Sequence, residues 1–235
     1  MPIAMITGVS RGLGHGIAVN LLERGWEVLG LGRQAPEDLT KQANFHFAPL
    51  DLQDYDSFEP ALIELLGQGK PELLILNAGI LGEIKRMSEL SLKELDEVFQ
   101  INLWANKILL DHLLPQTPEL TQVVAISSGA SVKGHVGWGA YALSKAGLNM
   151  LVTLYAVEHE DVHFASLAPG LVDTQMQDYL CGDVDEETFP SILKLKAARG
   201  TSDMPSPIDA GELILDAVPK LLNYPSGSYL DIRKL

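Results

Sequence analysis

The sequence predicts an α/β protein built on a doubly wound parallel sheet, and two observations lead to that prediction. Short, nearly continuous apolar runs recur along the chain, as expected of strands that helices cover on both faces. Longer segments with helical periodicity lie between them, and this repeated alternation favours parallel strands joined by right-handed crossovers. With 235 residues, 46% of them hydrophobic and 20% charged, the chain is expected to form a single domain.

Short apolar runs predict the strands, and segments with an apolar stripe at helical spacing predict the helices. We expect strands at Ile3–Thr7, Trp26–Leu31, Phe45–Leu50, Leu73–Leu76, Gln122–Ser127, His163–Leu167 and Ser228–Ile232. We expect helices at Leu13–Arg24, Tyr55–Leu66, Leu92–Leu114, Tyr141–His159 and Asp209–Leu222. Asp54 and Ser91 precede the second and third helices and are predicted to cap them. Ligands of such sheets bind beyond the carboxyl ends of the strands, so motifs at those ends carry the most information.

Composition argues against several classes of protein. A net charge of −14 argues against a nucleic-acid-binding protein, which needs a basic face, and we interpret the acidity as a contribution to solubility. The one cysteine, Cys181, is expected to be an inert small side chain in a reducing compartment, with neither a disulfide nor a metal cluster. We see no signal-peptide pattern and no apolar run near the roughly 20 residues that span a bilayer, so we expect a cytoplasmic protein without a membrane partner.

One long stretch, from about 171 to 207, shows no clear strand or helix pattern. It contains Pro190, Pro205 and Pro207 together with an acidic run at 183–187. Long irregular segments are uncommon in compact domains and often close over a binding site. We therefore predict a lid, and the alternative is a surface loop or two short helices without function.

A glycine-rich turn joins the first predicted strand to the first predicted helix. Gly8 permits a tight turn, Gly12 lets backbone amides approach a pyrophosphate, and Gly14 allows the helix to pack closely on the sheet. The free amides and partial positive charge of a helix N-terminus favour phosphate at this place. A glycine triplet alone also fits a turn without a ligand, but strand, turn and helix occur here in the required order. The predicted dinucleotide contacts in this turn are Gly8, Ser10, Arg11, Gly12, Leu13 and Gly14.

The end of the second predicted strand favours NADP(H) over NAD(H). NAD-binding proteins place a carboxylate there for the ribose 2′-hydroxyl, whereas NADP-binding proteins supply an arginine for the 2′-phosphate. Arg33 occupies this position, and Arg11 offers a second guanidinium suited to a phosphate dianion. The alternatives are two solvated surface arginines, or a preference weakened by Glu37 and Asp38, which lie a few residues further on.

Three residues of the second half form a pattern suited to proton transfer. Ser128 follows the fifth predicted strand, Tyr141 opens the fourth predicted helix, and Lys145 lies on the same helix face. A neighbouring ammonium favours the phenolate, so we expect the pKa of Tyr141 to lie below its ordinary value of about 10. Tyr141 then serves as general acid/base, while Ser128 bonds the substrate oxygen on which charge develops. Alone, the tyrosine–lysine spacing also fits a solvated helix.

Together these motifs resemble the short-chain dehydrogenases/reductases over nearly the whole chain. The turn from Thr7 to Gly14 is similar to the family's Thr-Gly-x-x-x-Gly-x-Gly, and Ser128, Tyr141 and Lys145 match its catalytic serine, tyrosine and lysine. The resemblance implies a Rossmann-type doubly wound seven-stranded parallel sheet with helices on both faces, in a single domain. It also implies that the tyrosine and lysine contact the cofactor.

Further matches lie at the ends of the third and fourth predicted strands. Asp51, followed by Leu52, matches the family's aspartate that contacts the adenine. The segment Asn77–Gly79, with Ala78 at its centre, is similar to the end of the family's Asn-Asn-Ala-Gly. Leu76 stands where the family has the first asparagine, which belongs to a structural hydrogen-bond network.

The remaining matches concern the catalytic relay and the nicotinamide. Asn102 matches the family's catalytic asparagine, which holds a water that links the lysine to solvent. Pro169 and Gly170 open a segment similar to the family's Pro-Gly-x-x-x-Thr. In that segment, the resemblance implies that the backbone of Val172 bonds the nicotinamide carboxamide and that Thr174 contacts the cofactor.

The resemblance also indicates where the substrate binds. The family's substrate lid corresponds to about 175–206. Met176 from the lid, with Ala130, Val136 and Trp138 from the stretch before the tyrosine, suggests an apolar substrate pocket.

These inferences predict an NADP(H)-dependent oxidoreductase that reduces a small ketone, aldehyde or diketone, similar to small carbonyl reductases of the family. The alternatives are an NAD-dependent alcohol dehydrogenase and a non-catalytic dinucleotide-sensing protein. Sensing members of the family tend to lose the tyrosine or the lysine, and this chain keeps both. Family members commonly pair through the helices at about 92–114 and 141–159, so we expect a homo-oligomer, with a dimer favoured over a tetramer.

Overall fold

A single seven-stranded parallel sheet organises the computed structural model, which describes all 235 residues. The strands are β1 Ile3–Thr7, β2 Glu27–Gly32, β3 Phe45–Pro49, β4 Leu73–Leu76, β5 Gln122–Ile126, β6 His163–Ala168 and β7 Ser228–Asp231. Their order across the sheet is β3-β2-β1-β4-β5-β6-β7. The winding reverses between β1 and β4, which opens a crevice beyond their carboxyl ends. The predicted doubly wound parallel sheet is confirmed.

Helices cover both faces of the sheet because successive strand residues point to opposite sides. The helices are α1 Gly12–Glu23, α2 Phe58–Leu66, α3 Leu92–Phe99, α4 Ala105–Leu113, α5 Gly139–Glu158, α6 Gln175–Gly182, α7 Ser191–Ala198 and α8 Pro207–Leu221. Met5 enters an apolar core shared with α2, α4 and α5, whereas its neighbour Ile6 enters a second core shared with α1 and α8. Strands buried on both faces explain the nearly continuous apolar runs. None of the helices is both long and apolar enough to cross a membrane.

Four of the five predicted helix starts shift by one to three residues, and the shifts of α2 and α8 have identifiable reasons. Ser91 caps α3 as predicted, since its hydroxyl accepts the backbone N–H of Glu94 at 3.3 Å. Asp54 does not cap a helix, so that prediction was wrong: a 3₁₀ turn at Tyr55–Ser57 precedes α2, and the Asp54 side chain makes no capping bond. The helix α8 starts before the predicted Asp209, because Ser206 caps it and a proline suits the first helical turn.

The long helix predicted at 92–114 is interrupted in its middle. A π-helical turn at Gln100–Trp104 separates α3 from α4. Such turns contain one residue more than the α-helical repeat and are frequent at functional sites. Asn102 lies inside this turn and is fully buried.

The stretch predicted to be irregular forms the two short helices α6 and α7. A third apolar cluster joins them to the rest of the protein, with Leu180, Ile192, Leu195 and Met204 packed against Leu81 and Ile84. Each helix spans only eight residues, which is too short for its periodicity to stand out in the sequence. Cys181 packs beside this cluster, in agreement with its predicted role as a small structural side chain.

Candidate active site

One cleft of about 1000 Å³ lies beyond the carboxyl ends of the strands. Its size is at the upper end of the range of ligand clefts, about 300–1,000 Å³. Most of the predicted site residues lie in its wall: Gly8, Ser10, Arg11, Gly12, Leu13, Arg33, Asp51, Leu52, Asn77, Ala78, Gly79, Ser128, Tyr141, Lys145, Pro169, Gly170, Val172 and Thr174. The fold therefore brings motifs from six strand ends into one place.

The glycine turn has the backbone geometry that its sequence predicts. Gly8 has a φ of +77°, a conformation that side chains disfavour, and its N–H donates to the carbonyl of Leu31 at 2.7 Å. A Cβ on Gly14 would lie 2.3 Å from the Gly8 carbonyl oxygen, so only glycine permits this contact between helix and turn. The open turn and the following helix N-terminus form a cradle that fits a pyrophosphate.

The end of β4 supports the turn even though Leu76 replaces the family's first asparagine. The Thr7 hydroxyl accepts the backbone N–H groups of Asn77 and Ala78, each at 3.0 Å. The Asn77 side chain donates to the carbonyl oxygens of Thr7 at 3.0 Å and Gly8 at 3.3 Å. The Thr7 hydroxyl and the Asn77 side chain therefore join the turn to the end of β4 without a first asparagine.

Arg11 and Arg33, the predicted 2′-phosphate contacts, lie in the cleft wall, whereas Glu37 and Asp38 do not. Arg11 and Arg33 are exposed at the end of the cleft that Asp51 also lines. Asp38 accepts from His15 at 2.8 Å outside the cleft wall, and Glu37 also lies outside it. Local charge at this end is therefore suited to a phosphate.

Lys145 is almost fully buried, with 3% of its surface exposed. Its Nζ donates to the carbonyl of Ile126 at 2.7 Å and lies 5.9 Å from the centre of the Tyr141 ring. Burial disfavours the ammonium and lowers the pKa of Lys145 to about 8. The lysine and the tyrosine share one face of α5, as their spacing predicts.

The pKa of Tyr141 differs from the expectation. Burial raises it above the ordinary value, although the neighbouring Ser128 hydroxyl acts in the opposite direction. The predicted lowering is therefore wrong for the protein's own groups, because burial is the largest effect on the pKa of this phenol. The phenol accordingly keeps its proton at neutral pH.

Asn102 lies behind the cleft wall, and its side chain is held by several hydrogen bonds. Its Oδ1 accepts the backbone N–H of Ile80 at 2.8 Å, while its Nδ2 donates to the Ile80 carbonyl at 2.8 Å and to the Ser144 hydroxyl at 2.9 Å. A Cβ on Gly79 would lie 3.0 Å from Asn102 Oδ1 and 3.4 Å from Lys145 Nζ. Gly79 thus leaves space where these two polar groups converge.

A hydrogen-bonded ring that the sequence did not reveal holds the turn at Ser128. The Ser131 hydroxyl donates to the Ser128 carbonyl at 2.6 Å and accepts from Asn149 at 2.8 Å. Asn149 in turn accepts from the Ser127 hydroxyl at 2.6 Å. Asn149 lies one helical repeat beyond Lys145 on the same face of α5, which is the one signal that would have identified it.

Two of the four predicted pocket residues line the cleft. These are Trp138 and Met176, whereas Ala130 and the half-exposed Val136 lie outside its wall. The Trp138 indole packs edge-on against the Tyr141 ring, with centroids 6.1 Å apart. Tyr179 and Leu180 of α6 and Leu195 of α7 also line the cleft. No cluster of side chains in the structure is suited to hold a metal ion.

A family model described as short chain dehydrogenase matches residues 2–184. The chain belongs to that family. Short-chain dehydrogenases are oxidoreductases that use a nicotinamide cofactor, and the cradle at Gly8 together with the volume of the cleft fits such a group. The predicted family and single-domain fold are therefore confirmed.

Several relatives of this short-chain dehydrogenase are similar over most of their length. A benzil reductase ((S)-benzoin forming) of Bacillus cereus is 32% identical, and the similarity covers 99% of this chain and 99% of that protein. A sepiapterin reductase of Rattus norvegicus is 32% identical over 74% of this chain and 76% of its own. The crystal structure of a short chain dehydrogenase/reductase of Saccharomyces cerevisiae superposes with a TM-score of 0.88 at 25% identity, covering 99% of this chain and 96% of that chain.

Proposed function

We propose that this protein is an NADP(H)-dependent carbonyl reductase that acts on a small ketone, aldehyde or diketone. The observation that carries the proposal is the meeting of Tyr141, Lys145 and Ser128 with the glycine turn in one cleft. The similarity to a benzil reductase and a sepiapterin reductase supports carbonyl reduction as the direction of the reaction.

Tyr141 is the proton donor in the proposed reaction. A bound nicotinamide would supply the hydride. Since burial raises the pKa of Tyr141, the phenol is protonated before reaction and can transfer its proton to the carbonyl oxygen as charge develops there. The Ser128 hydroxyl donates a hydrogen bond to the same oxygen. The Lys145 ammonium, charged below about pH 8, stabilises the phenolate that remains.

Lys145 returns a proton to Tyr141 in the proposed relay, and Asn102 holds the water that links the lysine to solvent. The space beside Gly79, next to Lys145 Nζ and Asn102 Oδ1, suits a water molecule that hydrogen-bonds to both. Asn102 has fixed bonds to Ile80, so its Oδ1 is a preorganised acceptor rather than a mobile one. This supports the relay role that the family resemblance implies.

The preference for NADP(H) rests on Arg11 and Arg33. Both line the cleft, and neither Glu37 nor Asp38 does. Two guanidiniums stabilise the charge of a 2′-phosphate, whereas a free 2′-hydroxyl carries no charge for them to stabilise. Isothermal titration with NADPH and NADH measures the preference, and tighter binding of NADH would contradict this part of the proposal.

Residues 175–206 form the proposed substrate lid. Met176, Tyr179 and Leu195 line the cleft from the lid, opposite Trp138. The Trp138 Nε1–H donates to the Ser191 hydroxyl at 2.9 Å, which joins the start of α7 to the wall beside Tyr141. The mainly apolar lining supports a substrate with little charge.

A homodimer through α5 is the proposed assembly. Leu143, Met150, Leu154 and Val157 are each about half exposed or more, and their spacing places them on one helix stripe. Trp104, which directly precedes α4, is also about half exposed. A continuous apolar stripe on a long helix is typical of a protein–protein contact.

The reaction is tested by following NADPH oxidation against a panel of ketones, aldehydes and diketones. Tyr141→Phe keeps the ring and removes the proton donor, so we expect a loss of about 100-fold or more in kcat. Unchanged turnover in this variant would refute the mechanism. Tight NADPH binding without turnover on any carbonyl would favour a dinucleotide-sensing protein instead.

A further inference from the structure

Arg199 joins three parts of the chain around the lid. It directly follows α7, and its Nε lies 3.2 Å from the Asp173 carboxylate. Its Nη2 donates to the carboxylate of Asp178 in α6, and its Nη1 lies 3.4 Å from the carbonyl oxygen of Gln177. One guanidinium therefore holds the end of α7, the first turn of α6 and the segment that precedes α6.

Asp173 connects these contacts to the cleft segment that the family resemblance places beside the nicotinamide. It lies between Val172 and Thr174, which both line the cleft. Its backbone N–H also donates to the carbonyl of Pro205, at the far end of the lid, at 2.9 Å. The lid is thus fastened to the same short cleft segment at two points, one of which is Arg199.

The apolar packing of the lid does not fix its orientation by itself. Leu180, Ile192 and Leu195 bury the lid against the protein, but hydrophobic contact has no preferred direction. A planar guanidinium that bonds two carboxylates and a carbonyl does have one. A backbone segment that binds a ligand through its N–H and C=O groups must be held in one orientation. Directional contacts provide this, whereas apolar packing does not.

We propose that Arg199 is a positioning residue that, through Asp173, fixes the backbone of Val172 and Thr174 for the nicotinamide half of the cofactor. This inference rests on the proposed function. The Arg199 and Asp173 side chains are 34% and 39% exposed, so the ion pair is partly screened by water. We therefore expect its loss to weaken cofactor binding about 5-fold, in line with the modest strength of such pairs.

The test compares two ligands that share only the adenine end. Isothermal titration gives the Kd of NADPH and of adenosine 2′,5′-bisphosphate, which lacks the nicotinamide, for the full chain. Arg199→Ala should raise the Kd of NADPH about 5-fold and leave that of the bisphosphate unchanged. Arg199→Lys keeps the positive charge but not the planar guanidinium, so its Kd for NADPH should lie between those of the unsubstituted protein and Arg199→Ala. Lys194→Ala, an exposed lysine of the same helix, is the matched control and should bind both ligands normally.

Each other outcome overturns the inference. An unchanged Kd of NADPH in Arg199→Ala shows that Val172 and Thr174 do not depend on this contact. An equal loss for both ligands shows a general disturbance of the fold instead of a positioning role. If the unsubstituted protein binds neither ligand, the proposed function itself fails, and that failure is visible before any variant is made.

Discussion

Replacing Lys145 by methionine is expected to stabilise the protein while it abolishes the reaction. Burial lowers the pKa of Lys145 from 10.5 to about 8, and this difference corresponds to a cost of ~3 kcal/mol for keeping the ammonium buried. Methionine removes that cost but also removes the charge-assisted hydrogen bond to the Ile126 carbonyl, a loss of about 2 kcal/mol. The net gain of ~1 kcal/mol raises Tm by about 2–4 °C for a chain of this length.

The stability gained by Lys145→Met decreases as the pH rises, because the folded and unfolded states bind protons differently. The pKa of Lys145 is lower in the folded state than in the unfolded state, so the unfolded chain binds more protons between about pH 8 and 10.5. The stability of the unsubstituted protein therefore rises with pH across this window. The advantage of Lys145→Met is complete below pH 8 and disappears as the pH approaches 10.5.

Urea unfolding followed by tryptophan fluorescence at pH 7, 9 and 10 measures both effects. Lys93→Met is the matched control, because the Lys93 side chain is 86% exposed and carries no burial cost. A Lys145→Met variant that is less stable at pH 7 would refute the reasoning. So would a gain of equal size at pH 7 and pH 10.

Four further predictions concern the pH profile, the glycine turn, the serine ring and the assembly. Carbonyl reduction at saturating NADPH should decline as the pH rises through about 8, where Lys145 loses its charge; a flat profile from pH 7 to 9 would contradict this. Gly14→Ala should raise the Kd of NADPH at least about 10-fold or prevent folding, because its Cβ would meet the Gly8 carbonyl oxygen at 2.3 Å, and circular dichroism separates the two results. Asn149→Leu should lower kcat about 10-fold with little change in the Kd of NADPH, since it releases the turn that carries Ser128; steady-state kinetics and titration test this together. Met150→Glu should convert a dimer to a monomer in sedimentation velocity, and an unaffected dimer would place the interface elsewhere.

The sheet and the cofactor end of the site were predictable because their signals are local. Strands buried on both faces are apolar throughout, and each motif predicted to bind the dinucleotide, apart from Tyr141 and Lys145, follows the end of a strand. The glycine turn needs its three glycines for reasons of backbone geometry, which a sequence displays directly. Parallel strands then bring the ends of β1, β4 and β5 together without further information.

The remainder of the site depends on contacts between distant parts of the chain. Asn102 is oriented by Ile80, and the Ser131 hydroxyl by Asn149, and nothing in the sequence pairs these residues. The pKa of Tyr141 was predicted in the wrong direction because burial is a property of the folded protein, whereas the spacing to Lys145 is visible in advance. The short helices α6 and α7 depend on packing against Leu81 and Ile84 rather than on their own periodicity.

The π-helical turn at Gln100–Trp104 also sets the phase of the helices on either side of it. One additional residue rotates everything that follows by about 100° around the helix axis, since an α-helix has about 3.6 residues per turn. The buried faces of α3 and α4 consequently point to different neighbours, α3 to α5 beside the catalytic groups and α4 to α2. Deleting one residue from this turn would remove that rotation without changing the residues of either helix. The buried faces of α3 and α4 would then no longer both meet their present neighbours, so either Asn102 or the core residues of α4 would be displaced.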